Sequence, residues 1–149
     1  MKTLVLGLGN PILSDDGVGN KVAREIKKRV EGVDVQEASA AGFRIVDQIV
    51  GYDKLILIDA IQTGESEVGA LNLFKPEDFQ ETKHSTSTHD IGFFQALDIY
   101  KREGEKVPEE IKIYGIEVEQ TDVFSEKFTP KVKNAFPAIV NQIIKENFS

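Results

Sequence analysis

The side chains able to do chemistry in this sequence are few and widely spaced. Asp15 and Asp16 stand together in Ser14-Asp15-Asp16-Gly17, Asp59 closes the apolar run Leu55-Ile56-Leu57-Ile58, and the two histidines, His84 and His89, lie in or beside the polar stretch 83–88. Two carboxylates and an imidazole make a hard-to-borderline ligand set that suits zinc, nickel or a similar divalent ion and leaves positions open for water or substrate. The chain has no cysteine, so thiolate ligands, disulfides and cysteine nucleophiles are excluded together. It also has no HExxH, no GxSxG and no Walker A lysine. The glycine loop Gly7-Leu8-Gly9-Asn10-Pro11-Ile12 fails the dinucleotide fingerprint, because Ile12 stands where the third glycine belongs.

Each of these residues has a plainer use to set beside the chemical one. Aspartates at a helix start are usually caps and dipole partners, which would account for Asp15 and Asp16. Asp59 resists that reading, since a carboxylate closing a buried apolar run is costly unless a partner or a metal holds it. A histidine in a polar loop is ordinarily a surface residue, which suits His84. His89 gains weight from its place where a helix should open.

The elements expected to position these groups follow from the apolar pattern. Thr3 to Leu8 and Lys54 to Asp59 are continuous apolar runs, as in strands buried on both faces of a parallel sheet. Val18, Val22, Ala23, Ile26 and Val30 recur at helical spacing, with Ser14, Asp15 and Asp16 as candidate caps and Gly32 as a stop. Val33 to Ala38 reads as a strand and Phe43 to Val50 as a helix. Val68 to Phe74 reads as a fourth strand, too close to the third for a helical crossover and therefore antiparallel. A helix from His89 carries Phe93, Phe94, Leu97 and Tyr100, Ile111 to Val118 is the fifth strand, and a last helix starts at Thr129-Pro130 and runs to about Asn147, with Pro137 inside it. The expected fold is α/β, a three-layer α/β/α sandwich of phosphorylase/hydrolase-like type. Its five-stranded sheet is mixed and mostly parallel, with strand 4 antiparallel. Ligands then bind at the carboxyl ends of the strands where the winding reverses. Asn10, Asp15, Asp16 and Asp59 all fall at such ends.

Composition bounds the function. At 149 residues, 40% hydrophobic and 29% charged, the chain is expected to form a single domain over 1–149. A net charge of -7 repels nucleic acid, and Lys27-Lys28-Arg29 is better read as the cationic end of a helix. The opening MKTLVLGLGN is too short and too broken by glycine for a signal or an anchor. A cytoplasmic, monomeric protein without membrane or nucleic-acid partners is expected.

Gly7-Leu8-Gly9-Asn10 followed by Ser14-Asp15-Asp16-Gly17-Val18-Gly19 resembles the N-terminal signature of the hydrogenase maturation endopeptidases. The segment Glu37 to Gly42, Ile58-Asp59-Ala60 with Gly64 beyond it, His89 before an apolar helix, and Gly115-Ile116-Glu117 are similar to that family in the same order, so the resemblance spans nearly the whole chain. It implies a divalent metal held by Asp16, Asp59 and His89, with His84 as the rival imidazole. Many members have glutamate where this chain has the shorter Asp16. It further implies a substrate, the large-subunit precursor of a nickel-iron hydrogenase, cut near its C-terminus once nickel is in place. The metal would be nickel carried by that substrate, with zinc or cadmium as substitutes. Two rivals stand beside this reading. A non-catalytic nickel-binding maturation module would dock without cutting. Peptidyl-tRNA hydrolases share the Gly-Leu-Gly-Asn-Pro start, but would continue with a tyrosine and a Thr-Arg-His-Asn run that this chain lacks.

Overall fold

A computed structural model describes residues 1–39, 43–78 and 90–148, without the side chains of residues 43, 44 and 90–93. The strands are β1 (Thr3–Leu8), β2 (Asp34–Ala38), β3 (Lys54–Ile61), β4 (Leu71–Phe74) and β5 (Glu110–Glu117). The helices are α1 (Val18–Arg29), preceded by a 3-10 turn over Ser14–Gly17, α2 (Phe43–Ile49), α3 (Asp90–Arg102) and α4 (Pro130–Phe148). The sheet order is β2-β1-β3-β5-β4. β1 pairs in parallel with β2 and β3, β3 pairs in parallel with β5, and β4 runs antiparallel on β5.

The apolar runs become central strands because both of their faces are covered. Val5, Ile56, Ile58, Tyr114 and Ile116 point to one side and pack with Val18, Val22 and Ile26 of α1 and Val132, Ile139 and Ile143 of α4. Leu4, Leu6, Leu8, Leu55, Leu57 and Ile113 point to the other side, against Ile45, Val46 and Ile49 of α2 and Ala96 of α3. Alternate side chains thus feed two separate cores, which is why neither β1 nor β3 shows a polar alternation. The edge strand β4 is shorter than its apolar pattern suggests. Gly69 lies at φ +95 and Ala70 N–H closes a turn on the Glu67 carbonyl, so extended pairing begins only at Leu71.

Small residues set how closely α1 lies on the sheet. A Cβ on Gly19 would collide with the carbonyl oxygens of Ile58 and Leu8, and one on Gly7 would meet the Gly19 carbonyl and the Ala23 methyl. The N-terminal end of α1 therefore sits directly on the carboxyl ends of β1 and β3. Those two strands flank the point where the chain reverses its winding, since β2 lies beyond β1 on one side and β3 lies on the other.

Candidate active site at the β1–β3 switch point

The loop leaving β1 is built to hold Asp16 in one place. Gly9 has φ +139, a conformation open to glycine, and its N–H extends the ladder to the Ala38 carbonyl at 3.1 Å. Asn10 then turns the chain. Its side-chain oxygen accepts from Ile12 N–H at 3.2 Å and its carbonyl accepts from Leu13 N–H at 3.0 Å. The Asn10 N–H donates to Asp16 Oδ2 at 2.8 Å, and the Asp16 N–H donates to the Leu13 carbonyl at 3.1 Å. Asp16 is only 9% exposed, so its carboxylate is largely shielded from solvent, with one oxygen already oriented by the backbone.

Asp59 lies inside β3 rather than at its end, because the strand continues through Ala60 and Ile61. It is fully buried, and its Oδ1 accepts from Ala60 N–H at 2.9 Å. Its neighbour across the ladder is Gly115, where an added Cβ would crowd Phe74 and Ile61. The 3-10 turn that carries Asp16 touches β3, so the two carboxylates belong to the same end of adjacent strands. His89 and His84 lie outside the described residues, as do residues 40–42 of the helix-opening loop. Among the described residues no three histidine, aspartate or glutamate groups are placed to hold a metal. Asp16 and Asp59 fit a divalent ion by chemistry, as carboxylate oxygen donors.

Asp15 is not part of this pair, and neither aspartate caps α1. The N-cap is Gly17, with no side-chain cap. The fully buried Asp15 carboxylate faces away to the segment between β5 and α4. There it accepts from Thr129 N–H and Oγ1 at 2.8 Å each, from Gln120 N–H at 3.2 Å and from Glu119 N–H at 3.3 Å. Its acceptor capacity is used up on structure.

Glu117 is a carboxylate whose role the sequence left unassigned. It is buried at the end of β5 and accepts from Thr63 N–H and Oγ1, Gly64 N–H and Ser66 Oγ. Burial pushes its carboxyl up, but the donors from Thr63, Gly64 and Ser66 outweigh that and hold it below the ordinary carboxylate value. It pins the loop that follows β3, downstream of Asp59. The signal was the same as for Asp59, an acid closing the apolar run Ile113-Tyr114-Gly115-Ile116. Arg24 of α1 grips Glu37 of β2 through two hydrogen bonds of 2.8 and 2.9 Å, and this ion pair lowers the Glu37 carboxyl from its usual range.

A family model described as hydrogenase maturation protease matches residues 18–146. The chain belongs to the hydrogenase maturation protease family. The match begins just after Asp16 and includes the positions of Asp59 and His89. The Hydrogenase 2 maturation protease of Escherichia coli K12 is 24% identical over 97% of this chain and 89% of its own. Protein FrxA of Pyrococcus furiosus is 29% identical over 89% of this chain and 95% of its own. Among solved structures, the maturating endopeptidase HybD of Escherichia coli superposes with a TM-score of 0.81 at 23% identity, covering 99% of this chain and 94% of that one. The [NiFe] hydrogenase maturation protease HybD of Thermococcus kodakarensis gives 0.75 at 26%, covering 98% and 99%. The protein is thus a hydrolase of the endopeptidase type, and membership of a protease family sets aside the non-catalytic module and the peptidyl-tRNA esterase.

Proposed function

We propose that this endopeptidase removes a C-terminal peptide from the large-subunit precursor of a nickel-iron hydrogenase, and that it recognises the precursor through nickel already inserted there. The observation that carries the reading is that Asp59 within β3 and Asp16, on the 3-10 turn that follows β1 and touches β3, fall at the same end of adjacent strands, each with one oxygen oriented by a backbone N–H. In this reading His89 completes the set. Asp16, Asp59 and His89 form both the metal-meeting and the catalytic group, and the ion belongs to the substrate. Two buried carboxylates beside the core favour a divalent cation by charge. Because the sheet holds one of them rigidly, the scissile peptide is aligned once the cation seats. The protein does its work in the cytoplasm as a monomer, and among the described residues no helix is long and apolar enough to cross a membrane.

Calorimetry with zinc or cadmium as stand-in ions tests the donor set independently of cleavage. Asp59→Asn should weaken binding at least about tenfold, the scale on which loss of one ligand charge acts, while the variant keeps the wild-type melting profile. Equal affinity in the two proteins rules out the assignment of Asp59.

A further inference from the structure

Three of the large apolar side chains that stand exposed among the described residues lie where the loop after β1 pairs with the segment before α4. They are Phe124 at 82%, Ile12 at 48% and Val123 at 44% exposure. Leu13 pairs with Ser125 in a parallel bridge, and Ser125 N–H donates to the Ile12 carbonyl at 2.9 Å while Ser14 N–H donates to the Ser125 carbonyl at 2.8 Å. Parallel pairing sets Ile12 beside Phe124 on one face.

These side chains are presented on a braced support. The strap over residues 119–129 is held at both ends by the Asp15 carboxylate. In between, Ser14 Oγ accepts from Gln120 Nε2 at 3.0 Å and donates to the Lys127 carbonyl at 3.1 Å. Ser14 itself is held at φ +52, a conformation that costs a non-glycine residue of order 1–3 kcal/mol and persists when its surroundings fix it. The support belongs to the same loop that aims Asp16, so the apolar face and the Asp16 carboxylate are parts of one braced segment. Exposing an aromatic ring on a pre-ordered strap suits a surface that is covered in use.

We propose that Ile12, Val123 and Phe124 form the docking face for the protein substrate, and that they cover an apolar side chain of the precursor in a segment bearing basic residues. This rests on the reading of the chain as a precursor-cutting endopeptidase. Continuity with the loop that carries Asp16 decides for the substrate, because Ile12 and Asp16 stand in the same loop and a polypeptide reaching Asp16 passes beside this face. Charge specifies its neighbours. The strap carries the exposed Glu119, Asp122 and Glu126 against Lys127 alone in residues 119–127, and with a net charge of -7 the molecule is repelled by an anionic lipid surface.

The test is steady-state cleavage of the nickel-loaded precursor by wild type, Phe124→Ser and Val123→Ser, with sedimentation velocity on each protein. Substitution of exposed side chains leaves the fold in place, and two variants guard against an accident in one. The expected result is a rise in KM of about tenfold or more for Phe124→Ser, a smaller rise for Val123→Ser, and kcat within about twofold of wild type. Unchanged KM in both variants, with wild type active, overturns the docking face and leaves the functional reading standing. Unchanged KM together with loss of a wild-type dimer in Phe124→Ser also overturns it, and assigns the face to a second copy of the chain. If wild type does not cut the precursor at all, the functional reading fails and the proposal goes with it.

Discussion

Asp15 and Asp16 are adjacent in the chain and opposite in use. Asp15 takes four hydrogen bonds from the strap before α4, whereas Asp16 takes Asn10 N–H of its own loop. Leaving a buried donor unpaired costs about 1–3 kcal/mol, so Asp15→Ala should lower the melting temperature by at least about 5 °C in a chain of this size. Asp16→Ala should melt close to wild type and lose processing. Thermal scans and cleavage assays on the two variants check this, and the opposite pattern would exchange their roles. Sequence alone could not make that division, because both residues satisfy the same local preference for acids at a helix start. The choice depended on a contact more than a hundred residues away in sequence, between Asp15 and Thr129. Asp59 was legible from its cost, since an acid ending an apolar run needs a reason. The same reasoning reaches Glu117, whose carboxyl is pushed up by burial but held below the ordinary carboxylate value by the donors of Thr63, Gly64 and Ser66. A depressed folded value means that the stabilisation is present above the unfolded value and is lost as pH falls through the folded one. Wild type should therefore lose more melting temperature than Glu117→Gln on acidification below about pH 4.5, read by scans across pH 3 to 7. For the imidazole, His89→Ala should abolish processing and His84→Ala should leave it nearly intact, and the reverse result would give the role to His84.

At the scale of elements, α1 and the β1–β3 pair act as one unit. The contact is made of backbone, with Gly19 against the carbonyls of Ile58 and Leu8, and Gly7 against that of Gly19. Gly19→Ala should gain a few tenths to about 1 kcal/mol of helix propensity and lose about 1–3 kcal/mol to overpacking. A net fall in stability and a larger fall in cleavage rate are expected, because the displaced helix start carries Asp16 with it. Denaturant unfolding and cleavage rates measure both, and a variant as stable and active as wild type would contradict the close approach. The elements themselves were readable because parallel strands buried on both faces give unbroken apolar runs, and α1 gives helical spacing against one core. Their limits were less readable. β3 runs two residues past Asp59 because Ala60 and Ile61 pair with Ile116 and Glu117, a long-range pairing that no local pattern announces. β4 starts late because Gly69 and Ala70 are used in a turn.

At the scale of the molecule, the sheet order places the winding reversal between β1 and β3, and with it the two carboxylates. An α/β chain with its acids at those strand ends could be recognised before any coordinates, but the substrate could not, because charge and fold constrain the kind of ligand and not its identity. In the proposed reading a metal held by the substrate completes the site. Three protein ligands without a thiolate bind free ions modestly, so a site of this kind discriminates best when the ion arrives with the polypeptide to be cut. The most direct measurement is to strip the enzyme with chelator, remove the chelator, and incubate it with nickel-loaded and nickel-free large-subunit precursor, following loss of a C-terminal peptide by mass spectrometry. The expected result is prompt cutting of the loaded form, with the nickel-free form left intact. Equally rapid cutting of the nickel-free precursor would contradict it.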